Sequence, residues 1–324
     1  MGARSISLLW LLLVMFTMHS SAQPFPSKPL GLVIPQAPGG LTDVLGRAVA
    51  QRLSQKWQQP VTVENRSGGN NVIAATYVAR SAPDGHTLLL ASDTLLSALP
   101  LLMKNLPFDP YKDFSLVSVM AESTSILVVH AELPVNTLNE FVALAHSKRG
   151  EFNYASFGNG SPPHLDMELF KRMASIDLVH IPYTGVAPAI TQMLGTGSGS
   201  LILLAGISAP LPHIRAGKLK ALAIAGRQRS VLLPDVPTFL ENGFTFLAGG
   251  WFGIVVPNGT PSGITETLAS AVSAVIKDRE FSESYIIKAG LTPVGNTPAE
   301  FAEYLREDRR SKAEKVKVSG ARFE

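Results

Sequence analysis

The sequence predicts an α/β protein with mostly parallel sheets, and two observations carry that prediction. Short apolar runs rich in β-branched residues alternate with segments of helical period, which implies crossover units rather than hairpins. The chain has 324 residues, 46% of them hydrophobic, enough for two domains with ordinary cores.

Taken in order, "LGLVIP" reads as a strand and "DVLGRAVAQRLSQKW" as the helix that follows it. "PVTVEN" precedes the helical "NVIAATYVARS", and "HTLLLAS" is a further strand. "SILVVH" leads to the helical "LNEFVALAHSKRG", "FNYASFG" to "HLDMELFKRMAS", and "DLVHIPY" to "VAPAITQMLGTG"; "LKALAIAG" closes the series. The last basic cluster, "REDRRSKAEKVK", mixes signs and reads as a solvated helix face.

The N-terminus has the layout of a secretory leader. Arg4 precedes an apolar run from Ile6 to Phe16, and Ser20-Ser21-Ala22 supplies small residues at the −3 and −1 positions of a cleavage site. Export and cleavage after Ala22 are therefore expected, with residues 1–22 as the signal peptide. The run is shorter than the ~20 residues a membrane span requires. The chain has no cysteine, hence no lipid-attachment thiol, disulfide framework or Cys-based metal site. Loss of Arg4 lowers the formal charge from +3 to +2, too small an excess to argue for nucleic acid.

In open α/β sheets, ligands sit beyond the carboxyl ends of strands, where loops lead into helix N-termini. After the strand through Ile34, Pro38-Gly39-Gly40 forms a turn without side-chain bulk, and Thr42 or Asp43 can cap a helix starting near Val44. Free backbone N–H groups and the helix dipole there suit a carboxylate or another small anion. A second loop, Gly158-Asn159-Gly160-Ser161, enters a helix near Pro163 in the same way. Ser92, Asp93 and Thr94 stand just past a third strand, where the Ser92 and Thr94 hydroxyls would complete the rim.

The chain resembles the Bug family of periplasmic receptors, the TctC-like substrate-binding components of tripartite tricarboxylate transporters. The resemblance rests on "FPSKPLGLVIPQAPGGLTDVLGRAVAQRLS", "VTVENRSGGNNVIAATYVARSAPDGHTLLLAS", "LPFDPYKDFSLVSV", "YASFGNGSPPHLDMELFKRMASIDLVHIPYTGVAPAITQML", "LPHIRAGKLKALAI", "LPDVPTFLENGF", "WFGIVVPNGTPSG" and "GLTPVGNTPAEF", in order. It implies a type II periplasmic-binding-protein fold, two α/β domains around a ligand cleft with two interdomain crossovers. Domain 1 would comprise residues 23–123 plus 246–324, and domain 2 residues 124–245. The family's ligand-binding role falls on Ala37, Gly39, Gly40, Thr42, Ser92, Ser156, Gly158, Asn159, Gly160, Ser161, His164, Tyr183 and Gly185, with Asp43 as cap and loop organiser. The implied partners are a small organic anion and the membrane permease subunits of such a transporter, or a sensor protein in a signalling role. The receptor would act as a monomer, in the periplasm, with no cofactor and no metal.

Three departures from the family pattern bear on the ligand. Gln36 replaces an aromatic, so its amide bonds a ligand or sits on the rim. Asp93-Thr94 stands where many members have Asn-Gly. A carboxylate there is expected to repel a second ligand carboxylate or to attract an ammonium group, unless it points to solvent. Leu201, Ala205 and Gly206 replace an Asp and an Asp-Asn pair, so the wall near Ala205 is expected to be apolar and to favour an aromatic or short aliphatic monocarboxylate. As a rival class, a hydrolase would use Ser161 and His164. No Gly-x-Ser-x-Gly elbow, phosphate loop or His-Glu-x-x-His is present. The histidines, His180 among them, are expected at the surface or in structural hydrogen bonds.

Overall fold

The computed structural model describes residues 25–319 apart from 157, 159–160, 196–199 and 247. The leader and its cleavage site, and the site candidates Asn159 and Gly160, lie outside the described residues.

The first strand, β1 (Leu30–Ile34), is followed by α1 (Leu41–Trp57), β2 (Val61–Asn65), α2 (Val72–Ala79) and β3 (Thr87–Ser92). β1 pairs in parallel with β2 on one side and β3 on the other. Helices cover both faces of this sheet, so the central strand reads as a nearly unbroken apolar run. Leu30, Leu32 and Ile34 enter one core with Leu45, Val49 and Leu53 of α1, while Val33 enters the opposite core with Ala74, Ala75 and Val78 of α2.

A short helix, α3 (Leu99–Leu102), leads to the 17-residue strand β4 (Phe114–His130). Beyond it come α4 (Leu138–Ser147), β5 (Asn153–Ser156), α5 (Pro162–Ala174), β6 (Val179–Pro182), α6 (Val186–Met193), β7 (Leu201–Gly206), α7 (Leu211–Arg215) and β8 (Leu219–Ile224). The chain returns through β9 (Gly249–Pro257), α8 (Ser262–Lys277), α9 (Arg279–Phe281) and β10 (Leu291–Pro293), and ends in α10 (Pro298–Ser319).

β4 serves two lobes. From Phe114 to Thr124 it pairs with β9, and β10 joins it there; from Ser125 onward it pairs with β7 and β8. The return crossing runs beside it, since Ala248 bonds Ser125 and Ala225 in the second lobe whereas Gly249 pairs with Thr124 in the first. Gly249 has φ +127°, and a Cβ there would stand 1.8 Å from the Ser123 carbonyl oxygen, so only glycine fits this crossing.

Strand directions then fix where the loops face. β9 is antiparallel to both β3 and β4, so β4 leaves the first lobe at the carboxyl ends of β1 and β3. It is antiparallel to β7, which is parallel to β5 and through it to β6, so it enters the second lobe at the carboxyl ends of those strands. Both sets of strand-end loops therefore face the crossover. Through the pairings, Ser92 lies level with Ala121 and Ser156 level with Leu127, six residues further along β4, a span of ~20 Å.

α10 spans the two lobes. Phe301 and Leu305 pack with Trp251 in the first core, and Val318 packs on the second. Its lysines overturn the solvated-face expectation: Lys312 and Lys315 are 4% and 3% exposed. Lys312 Nζ lies 2.7 Å from Asp93 of the first lobe, and Lys315 Nζ lies 2.7 Å from Asp166 on α5 of the second. Trp251 Nε1 donates to Asp308 of the same helix at 3.0 Å. Among the described residues, no helix is long and apolar enough to cross a membrane.

Candidate functional site

The first loop is held from beneath by one carboxylate. α1 starts at Leu41 with Gly40 as N-cap, three residues before the expected start, and neither Thr42 nor Asp43 is the cap. Asp43 instead reaches back from the first turn. It accepts the Gly39 N–H at 2.9 Å, Arg47 Nε at 2.9 Å and Asn65 Nδ2 at 2.8 Å. Asn65 also donates to the Gln36 carbonyl at 3.0 Å, which ties the loop to β2. The Arg47 guanidinium and the Gly39 amide hold the Asp43 carboxyl at about 2. Gly39 takes φ +87° with open space around it, so the turn needs glycine for its backbone and not for room.

The consequence is electrostatic. Asp43 is buried and its charge is matched by Arg47, whereas Ala37, Gly39, Gly40 and Leu41 are exposed. The first in-helix bond of α1 is from Val44 to Gly40, so the amides of Leu41, Thr42 and Asp43 have no acceptor within the helix. The Gln36 amide turns to Asn71, 3.4 Å away.

Ser92 ends β3 and is buried beside Asp93. The Asp93 expectation needs correction. Its carboxylate is 6% exposed, is paired with Lys312 and packs on Gly250, so it neither stands free at a rim nor points to solvent. Burial lowers the Lys312 pKa, but Asp93, Asp166 and Asp308 outweigh that and raise it, keeping the ammonium charged.

In the second lobe the strand ends bring together Ser156, Gly158, Ser161, Tyr183 and Gly185. The Tyr183 amide donates to the Ser156 carbonyl at 2.9 Å, and Gly185 is the N-cap of α6. The Ser156 hydroxyl contacts the Gly158 amide at 3.1 Å and the Gly158 carbonyl at 3.2 Å, and Ser161 Oγ donates to that carbonyl at 2.6 Å. α5 begins at Pro162 with Ser161 as N-cap, and Pro162 and Pro163 occupy its first two positions. The expected row of free amides is therefore reduced, because proline has no N–H.

Ala205 is a core residue, 2% exposed and packed with Ile126, Val128, Ala155 and Leu203. Leu201 to Ala205 are all buried, with side chains alternating between two cores, so the apolar replacements in this strand continue its packing. A cavity of about 620 Å³ lies under α10 at the crossover, lined by residues including Thr124, Gly249, Trp251, Tyr304, Asp308 and Lys312; none of the expected loop residues lines it. Sequence reasoning missed three participants in these networks: Arg47, one turn after Asp43; His180, level with Tyr154 on the neighbouring strand; and Lys312.

Two α/β lobes joined by paired crossover strands, with strand-end loops turned toward the crossing, define a periplasmic solute-binding protein. The comparisons agree. The family model for the tripartite tricarboxylate transporter family receptor, TctC, matches residues 45–319, and the chain belongs to that family. Protein BugT of Bordetella pertussis is 34% identical over 94% of this chain and 93% of its own length. Among solved structures, the R. palustris protein Rpa4515 with adipate is 29% identical with a TM-score of 0.73, covering 92% of this chain and 99% of its own. MatC from Rhodopseudomonas palustris with bound malate is 31% identical with a TM-score of 0.67, covering 90% and 100%. The members of this family are substrate-binding receptors.

Proposed function

We propose that this protein is an exported periplasmic receptor that captures a small carboxylate and delivers it to the permease subunits of a tripartite tricarboxylate-type transporter. The first loop carries this reading. Its exposed glycine turn leads into a helix N-terminus, and the one acidic side chain beneath it is neutralised by Arg47, so the positive end of α1 faces solvent uncancelled. The amides of Leu41, Thr42 and Asp43, which α1 leaves unbonded, would hold a carboxylate beside Ala37 and Gly40, while the Gly39 amide is spent on Asp43 and shapes the turn. Ser161, Tyr183 and Gly185 would close on it from the second lobe, with Ser156 buried beneath their loop.

With Asp93 paired to Lys312, that strand end does not repel a second carboxylate. Dicarboxylates such as adipate and malate, named for two structural relatives, therefore stand beside monocarboxylates as first probes. With the expected domain boundaries near residues 124 and 246, the hinge would lie at the β4 and β9 crossing. Closure follows only if the ligand makes better contacts in the closed state.

The test is a thermal-shift screen of refolded mature protein against mono- and dicarboxylates, followed by solution scattering on any hit. A ligand at about 100 times its Kd stabilises by about 2.7 kcal/mol. A rise in melting temperature with a smaller radius of gyration supports the reading; a panel without effect, or binding without contraction, overturns the corresponding half.

A further inference from the structure

The second-lobe loop rests on a ladder of aromatic and titratable groups. Tyr154 and Ser156 are two residues apart on β5 and share a face, and His180 of β6 is level with Tyr154. α5 covers that face with His164, Glu168 and Lys171, spaced four and then three residues apart. The His164 and His180 rings stack at 4.4 Å, and His180 stacks on Tyr154 at 4.9 Å. His180 Nε2 stands 2.5 Å from Ser156 Oγ, the same hydroxyl that contacts the Gly158 amide and carbonyl.

The groups facing the pair are accounted for. Glu168 accepts from Tyr154 Oη at 2.6 Å and from Lys171 Nζ at 2.8 Å, so its charge is already balanced and does not hold either imidazole protonated. Burial keeps both histidines below the ordinary imidazole range. For His180 the neighbouring His164 adds to the lowering; for each histidine Glu168 pulls the other way more strongly than Lys171 pushes down, but less than burial does. The free protein therefore holds the stack neutral near neutrality. Meanwhile Pro162 and Pro163 leave His164 with the single amide hydrogen of α5's first turn, so the backbone offers this loop little positive potential.

Resting on the receptor reading above, we propose that anion capture at this loop takes up one proton, held by the His164–His180 stack and transmitted to the loop through Ser156. When His180 is neutral with Nε2 unprotonated, Ser156 donates its hydroxyl proton to that nitrogen. Once Nε2 carries a proton it becomes the donor, and the Ser156 hydroxyl turns to the Gly158 carbonyl. Ser156 and Gly158 are then held in one hydrogen-bonded form above a positive charge. His180 is thus a positioning residue, acting on the ligand through Ser156; the hydroxyl itself is fully buried and is not placed for attack on a substrate.

The sign follows from linkage. A bound anion raises the pKa of the stack, so between the free and bound values the complex holds a proton that the free protein lacks. Affinity then rises as pH falls, by at most about tenfold per pH unit for one proton. The experiment is calorimetry with propionate, benzoate, succinate and adipate from about pH 8.5 to about pH 6, each in two buffers of different ionisation enthalpy. The expected result is tighter binding at lower pH with uptake approaching one proton. His180→Gln should flatten the profile and abolish uptake, while His130→Gln, at the far end of β4, should keep both. Binding with a flat profile and no proton uptake overturns this proposal and leaves the receptor reading standing; silence from every probe at every pH overturns both. If His180→Gln does not fold, the wild-type proton inventory decides alone.

Discussion

Replacing Lys312 by Met removes a buried ammonium while keeping most of its apolar stem. Asp93 is left 6% exposed, with its carboxylate 2.7 Å from where the charge had been and Gly250 packed on its other side. Removing one partner of a buried ion pair costs about 3–5 kcal/mol, because the remaining charge is stranded away from water. For a chain of this size that corresponds to a fall in melting temperature of roughly 6–20 °C. Adding Asp93→Asn to the Met variant should recover most of the loss, since a neutral amide has less to lose by burial. The control is Arg279→Ala: Arg279 is 90% exposed in its pair with Glu283, and its loss should leave the unfolding midpoint essentially unchanged. Urea unfolding monitored by tryptophan fluorescence and by circular dichroism reads the wild type and all three variants. A loss below about 1 kcal/mol for Lys312→Met, with no recovery in the double variant, would refute the reasoning by showing that water reaches Asp93. Because the Lys312 pKa is raised, its contribution is fully present below the unfolded value of about 10.4 and fades only as pH rises through the folded one.

Two further outcomes follow. Gly249→Ala forces a methyl against the Ser123 carbonyl at the crossing, where φ is +127°; soluble yield should collapse, whereas Gly263→Ala, with open space at its Cβ, should express normally. Asp43→Asn should weaken carboxylate binding by at least tenfold, about 1.4 kcal/mol, by releasing Arg47 and loosening the Gly39 amide; calorimetry with a ligand found in the screen reads this. With its carboxyl held at about 2, Asp43 contributes stability that is present above about 3.8 and lost as pH falls toward about 2, and acid titration of the Asn variant should lack that step.

The alternation of apolar runs and helical segments made the α/β class legible, because burial on both sheet faces writes itself into the sequence as continuous runs such as those at Leu30–Ile34 and Thr87–Ser92. The first half of β4 was harder to read as a strand. Its pairing with β9 shifts register at Leu116/Ser118 and at Val119/Ala121, and each shift disturbs the alternation by which a strand is recognised. The ion pairs were hidden for another reason. Lys312 and Lys315 pair with Asp93 and Asp166, each more than a hundred positions earlier, and a lysine on a helix reads as solvated until its partner is known. One signal was available: Asp308, Lys312 and Lys315 continue, at helical spacing, the buried stripe begun by Phe301 and Leu305. Asp93 stands out in the sequence, but its pairing with Lys312 does not, since a strand-end carboxylate can face a cleft or a helix equally well.

The insertion of β9 between β3 and β4 also sets a timetable. Leu89 finds its partner in Val255, and the first sheet has a gap until that late segment arrives. The second lobe draws its strands from one continuous stretch, β4 to β8, so its contacts close at shorter sequence separation. Folding should therefore begin in the middle of the chain, and the assembled middle then holds β3 and β9 within reach of each other. Until the C-terminal third is present, the N-terminal segment remains an open-edged sheet, exposed to aggregation and dependent on chaperones. Under the export proposed above, that delay would keep the leading segment threadable until the trailing one has followed.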